Sequence, residues 1–209
     1  MARPWKMHAS AGPASLAPMV RLGTLPLRLL ALERGAALVY SEEIVDTKLA
    51  QATRTVHAQS GTVEWRLPCG AVLLSTCAAE RGRLVVQLGS SSAEAALAAA
   101  RSLIDPAQPD RDGIVRLGGI EPLASPGVLL TSAPRFGQAG IDVNMGCAKR
   151  NTTEHGAGFA LFADRERAER VLRALRAFLP ARLALSCKVR LCDAGARATA
   201  ERCARACNL

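Results

Sequence analysis

Short apolar runs alternating with helix-patterned segments constrain this chain more than any other feature of its sequence. The run Leu84 to Leu88 is almost continuously apolar, as a strand covered on both faces should be. Ser91 and Glu94 follow with the spacing of a capping box. The predicted helix behind them carries the stripe Ala96, Leu97, Ala100, Leu103 and Ile104. The same rhythm recurs. Predicted strands run over Leu16 to Val20, Ala37 to Tyr40, Ile141 to Asn144 and Leu183 to Val189. Thr24 is placed to cap a first helix, with Pro26 in its first turn and Gly35 just beyond its end. From Asp164 the residues Ala168, Val171, Leu172, Leu175 and Leu179 keep a helical period that Pro180 stops, and Asp193 is placed to cap a last, Ala-rich helix. Strands and helices of these lengths in alternation predict a parallel sheet in an α/β domain.

Two stretches break the rhythm. Thr47 to Arg81 contains alternating residues around Val63-Trp65-Leu67 and Val72-Leu73-Leu74, which predicts an added hairpin. Residues 105–137 are rich in Pro and Gly without a period and read as an irregular insertion in a domain spanning 14–209, preceded by a short basic extension over 1–13. No apolar run approaches the roughly 18 residues that cross a bilayer, so no membrane partner is expected. Lys and Arg exceed Asp and Glu by 27 to 18, a formal charge of +9, which favours a polyanionic partner such as nucleic acid. The first residues lack the apolar core of a secretory signal. The seven cysteines are therefore expected as reduced thiols, in the cytoplasm or the nucleus. The pairs Cys187/Cys192 and Cys203/Cys207 do not have zinc-ribbon spacing, and no metal is expected.

Function in parallel α/β folds gathers at the C-terminal ends of the strands. The polar residues there are Glu42 and Glu43, Gln87, Asn144, Lys188 and Arg190, with Pro18-Met19-Val20 after the first strand and Cys147 after the fourth. Buried polar groups without partners cost about 1–3 kcal/mol each, so a ligand or a mutual network must satisfy them. Cys147 stands apart from the other cysteines, because it follows a glycine at a strand end and precedes the Gly-containing run 151–158. His8, His57 and His155 fall in loop-like stretches and suggest no triad.

Several of these segments together resemble the tRNA-dihydrouridine synthases, most closely the eukaryotic subgroup acting on the D-loop of cytoplasmic tRNA. They are Leu16-Ala17-Pro18-Met19-Val20-Arg21, Gly23-Thr24-Leu25-Pro26-Leu27-Arg28, Val39-Tyr40-Ser41-Glu42-Glu43, Val85-Val86-Gln87-Leu88-Gly89, Gly140 through Cys147, and Cys187-Lys188-Val189-Arg190. The resemblance implies an FMN-binding TIM (β/α)8 barrel and the NADPH-dependent reduction of a tRNA uridine. It also implies roles: Pro18, Met19 and Val20 against the flavin ring, Gln87 and Lys188 on its polar edge, Asn144 and Arg190 toward the substrate, and Cys147 as the acid that protonates C5.

Three departures stand against that pattern. Ala148 replaces the proline that follows the family's cysteine, Glu154-His155 alters the glycine-rich run, and 209 residues fall short of the about 250 of a complete barrel. The expectation is thus a barrel cut after about five βα units, without its later strands and helical tRNA-binding domain. The alternative is a catalytically incompetent fragment or pseudoenzyme that binds tRNA without flavin.

Overall fold

The computed structural model describes residues 14–103, 140–181 and 183–191. The predicted extension over 1–13, the insertion over 105–137 and the helix from Asp193 lie outside them. Five parallel strands form the main sheet: β1 (Ser15–Leu16), β2 (Leu38–Val45), β6 (Leu84–Gly89), β7 (Gly140–Met145) and β8 (Ala184–Val189), paired in that order. The order follows the chain without reversal. Successive crossovers of one hand then put every helix on the same side, as in a barrel wall rather than a doubly wound sheet.

The side-chain alternation agrees. Val39, Ile44, Leu84, Val86, Leu88, Ile141, Val143 and Met145 point outward into one apolar core, with Leu185, Cys187 and Val189 packed against it. That core is completed by Leu32 of α1 (Leu25–Glu33), Ala96, Ala99, Ala100 and Leu103 of α3 (Ala93–Leu103), and Ala168, Val171, Leu172 and Leu175 of α6 (Arg165–Phe178). The opposite face of β6, β7 and β8 presents Gln87, Asp142, Asn144, Ser186 and Lys188. Apolar outside and polar inside is the pattern of a half-barrel with a functional lumen.

Local chemistry sets most boundaries. Asp164 caps α6 by accepting from Arg167 N at 3.1 Å. At the end of α1, Gly35 has φ 91°. Its N–H bonds Leu32 O and that of Ala36 bonds Ala31 O, the paired closure that a left-handed glycine permits. α3 is capped one residue later than its sequence suggests, since it is Ser92 Oγ, not Ser91, that accepts from Ala95 N at 3.1 Å.

The strand predicted over Leu16 to Val20 stops at Leu16. Pro18 has no N–H for a ladder, and Met19 O receives the N–H groups of Leu22 and Gly23 in a turn with Arg21 at φ 67°. β2, expected to end at Tyr40, continues to Val45. Tyr40 pairs with Val85 and Glu43 with Gln87, so β2 carries one residue more than its partner in that interval: a β-bulge at Ser41-Glu42. Ser41 Oγ completes it, accepting from Gln87 N at 3.0 Å and donating to Glu42 O at 2.7 Å.

The predicted hairpin is three antiparallel strands, β3 (Thr53–His57), β4 (Thr62–Arg66) and β5 (Val72–Cys77). His57 therefore ends a strand rather than sitting in a loop. Two buried contacts fix this sheet to the helical layer. Trp65 is fully buried and donates from Nε1 to Ser102 O at 2.9 Å. Arg28 of α1, 2% exposed, meets Glu80, 1% exposed, at 2.6 Å through Nε, and Glu80 lies in a single 3-10 turn (Ala78–Glu80) after β5. Arg28 also donates to the carbonyls of Gly23 and Ser75, and Thr76 Oγ1 donates to Glu80. All partners of this pair are internal. Arg28→Met would strand a buried carboxylate and is expected to cost roughly 3–5 kcal/mol, read from the urea midpoint. Adding Glu80→Leu should recover most of that loss, whereas a single-variant loss below about 1 kcal/mol would mean that water solvates the carboxylate.

Candidate active site at the strand tips

The inward residues of β6, β7 and β8 lie in layers. Gln87, Asp142 and Ser186 are register partners across three strands. Gln87 Nε2 donates to Asp142 Oδ2 at 2.7 Å, and Ser186 Oγ donates to Asp142 Oδ1 at 2.7 Å. Tyr40, in register with Val85 and so one inward step deeper, lies near enough to Asp142 and Ser186 to feel both. Burial pushes the Asp142 carboxyl above the ordinary aspartate range, against the hydrogen bonds from Gln87 and Ser186 and the charge of Lys188. Tyr40 is pushed up as well, first by burial and then by Asp142.

One layer nearer the strand tips, Asn144 pairs with Lys188. Asn144 Oδ1 accepts from the backbone N–H groups of Gly146 at 3.0 Å and Cys147 at 3.1 Å, which folds the chain sharply at the end of β7. Beyond the fold, the Cys147 thiol donates to Thr152 Oγ1 at 3.5 Å, and Cys147 O accepts from Phe159 N at 2.8 Å. Gly158, with φ 60°, lies so close that a Cβ there would meet Cys147 O at 2.4 Å. Only glycine fits. Arg190 Nε donates to Gly146 O at 2.7 Å, clamping the fold from β8.

A cleft of about 230 Å³ opens over these residues, lined by Pro18, Val20, Glu43, Gln87, Asn144, Gly146, Cys147, Lys188 and Arg190. It contains all but two of the residues singled out from the sequence. Met19 contributes its carbonyl to the turn after β1, and Glu42 accepts from Arg21 N and lines a separate cleft beside α1. Val20, Glu43 and Cys147 also line a second cleft of about 670 Å³, floored by Gly89, Ser90 and Ser91 and flanked by Lys48, Lys149 and His155. Among the described residues, no three His, Cys, Asp or Glu side chains converge as a metal site requires, and no helix is long and apolar enough to cross a membrane.

Comparison with known proteins agrees with this geometry. Residues 115–209 match the family model of dihydrouridine synthase (Dus), a span that includes Asn144, Cys147, Lys188 and Arg190. A Schizosaccharomyces pombe protein named tRNA-dihydrouridine(20) synthase, NAD(P)+, is 33% identical over 208 residues, covering 90% of this chain. The chain belongs to the dihydrouridine synthase family. A Saccharomyces cerevisiae protein of the same name is 33% identical over 162 residues and 74% of this chain. A Ralstonia nicotianae tRNA-dihydrouridine(16) synthase is 42% identical over 52 residues, 25% of this chain and 16% of that protein. The chain spans only about a third of the two yeast relatives, 37% and 34% of their lengths. The yeast matches, which extend over 90% and 74% of the chain against 25% for the Ralstonia protein, support the D-loop subgroup.

Sequence reasoning named Glu43 beside Glu42 without giving it a role, and passed over Asp142. A signal existed for Asp142: Asp142-x-Asn144 and Ser186-x-Lys188-x-Arg190 both repeat polar residues at the period of two that marks one strand face.

Asp142 and Tyr40 make a testable pair, because Tyr40 is the chain's one tyrosine. A carboxyl whose native pKa is raised binds its proton more tightly in the folded than in the unfolded state. Its destabilising effect is absent below the ordinary aspartate pKa and develops as pH rises through the native value. Asp142→Asn should therefore flatten the fall in stability over that window. The same change should move the phenolate absorbance of Tyr40 to lower pH. An unshifted tyrosine titration would mean that Asp142 carries no charge in the native protein at alkaline pH.

Proposed function

We propose that this chain forms the first part of the catalytic barrel of a tRNA-dihydrouridine synthase. Its reaction is the reduction of the C5–C6 double bond of a D-loop uridine, with FMN as cofactor, NADPH as reductant and Cys147 as general acid. The observation that carries the reading is the convergence of the Cys147 thiol, the Gln87 amide and the Lys188 ammonium on one cleft at the strand tips. The names of the yeast relatives carry tRNA, dihydrouridine and NAD(P)+, in line with it.

The donor set suits a flavin ring. Pro18 and the half-exposed Val20 offer an apolar wall after β1. Opposite them stand the Lys188 ammonium and the Gln87 carboxamide, suited to the acceptors along the ring's pyrimidine edge. When bound and reduced by NADPH, FMN would supply the hydride that C6 of the uracil takes up. The remaining work falls to the protein's own residues. Lys188, on the inward face of β8, sets a positive charge beside the place where the pyrimidine edge gathers electron density. Cys147 holds a proton on Sγ for C5, and the Asn144 fold and the Arg190 clamp keep that sulfur at the rim. Thr152 Oγ1 gives the thiol proton a hydrogen-bond acceptor in the resting state.

A uracil reaches such a cleft only after leaving its stack, which a single-stranded loop permits most easily. The excess of basic residues favours the RNA that carries it. With such a tRNA as substrate, the chain's work would lie in the cytoplasm or nucleus.

The test is turnover on unmodified tRNA with FMN and NADPH. Cys147→Ala is expected to lower uridine reduction at least about 100-fold while the flavin absorption band persists. Unchanged turnover would take Cys147 out of the reaction. A colourless preparation that still retards tRNA on a gel would replace this reading with RNA binding independent of flavin.

A further inference from the structure

We propose that Glu43 is a positioning residue: its carboxylate fixes the side-chain amide of Asn144 and, through it, the fold that presents Cys147. Neither the family comparison nor the roles set out above assign Glu43 anything.

The placement begins in β2. With regular pairing, Tyr40 and Glu43, three residues apart, would face opposite sides of the sheet. The bulge at Ser41-Glu42 adds one residue, so both face inward. Glu43 then reaches toward the strand tips across Gly89. A Cβ on Gly89 would stand 2.5 Å from Glu43 Oε1 and 3.2 Å from its Cδ, so the missing side chain at 89 is the space that the carboxyl occupies.

There its carboxyl lines the same cleft as Asn144 and lies within reach of that side-chain amide. Which amide atom meets it follows from the other end of the amide. Asn144 Oδ1 is already taken by the N–H groups of Gly146 and Cys147, so the NH2 group faces Glu43. A carboxamide can rotate by half a turn and exchange its oxygen for its nitrogen. An acceptor at Glu43 makes one orientation right and the other wrong, because the flipped amide would aim NH2 at two backbone donors. Glu43 also feels the charge of Lys149. It therefore engages residues on both sides of Cys147, three positions before and two after. Burial raises the Glu43 carboxyl above the ordinary glutamate range, as fits a group enclosed between strands rather than one free in solvent.

The positioning stands on geometry alone, while its consequence for proton delivery rests on the function proposed above. Backbone amide exchange, measured on the full chain by NMR, separates the two because it needs neither flavin nor tRNA. Glu43→Ala should accelerate exchange at Gly146 and Cys147 by about tenfold, the loss of one hydrogen bond's restraint, with Val143 in the β7 ladder unchanged. Glu43→Gln keeps an acceptor and should restore protection at both amides. Gly89→Ala provides a second route: the nearest atoms to its new methyl are all of the movable Glu43 side chain, so it should reproduce the Glu43→Ala pattern with Glu43 still present. Unchanged protection at Gly146 and Cys147 in Gly89→Ala and Glu43→Ala overturns the proposal, as does acceleration spread evenly along β7. Should Glu43→Ala fail to fold, the Gly89→Ala result decides alone.

Discussion

Asp142 holds three strands in one register. Its two carboxylate oxygens receive Gln87 from β6 and Ser186 from β8, each at 2.7 Å, in the interior of the sheet. In a parallel sheet a slip of one residue turns every side chain to the other face. Here such a slip would carry Gln87 and Lys188 into the apolar layer beneath the helices and bring Leu88 and Val189 into the lumen. The apolar outer residues resist it through burial. The carboxylate resists it from within, since neither neighbour could then reach it.

The cleft is consequently built from alternate residues of regular strands, with loops supplying only the thiol and the apolar wall. Each loop is tied down by the atoms nearest it. Pro18 to Gly23 closes on Met19 O, and the turn carrying Cys147 is held by Asn144 before it, Gly158 against it and Arg190 across from it. Rigid strands with short, individually anchored loops are what a reaction needing sub-ångström placement requires. The antiparallel sheet is attached differently. Trp65 and the Arg28–Glu80 pair fasten it to the outer layer through contacts 37 and 52 residues apart in sequence.

Sequence legibility followed the range of the forces involved. β6, β7, β8 and α6 were readable because period, cap and stop residue all lie within one segment. Gly35 was readable because its conformation is local. The bulge in β2 was not, since an extra residue is defined only against the partner strand, and Ser41 acquires its meaning from the Gln87 N–H 46 residues away. β3, Thr-Arg-Thr-Val-His, lacks an apolar alternation because most of its residues are exposed, so only pairing with β4 makes it a strand. The site residues were found through polar groups at strand ends and through the family resemblance. Glu43 was named with Glu42 but given no role, because nothing local says which of two adjacent glutamates turns inward.

The bulge at Ser41-Glu42 also bears on how this segment can change length. Most single-residue deletions near a strand end shorten a connection and leave the sheet intact. A deletion at either of these two positions would remove the surplus residue and restore plain pairing, leaving Tyr40 and Glu43 two apart and both still inward. The pair can thus lose one member and keep Glu43 facing the lumen, and what would go with Ser41 is the hydroxyl that receives the Gln87 N–H.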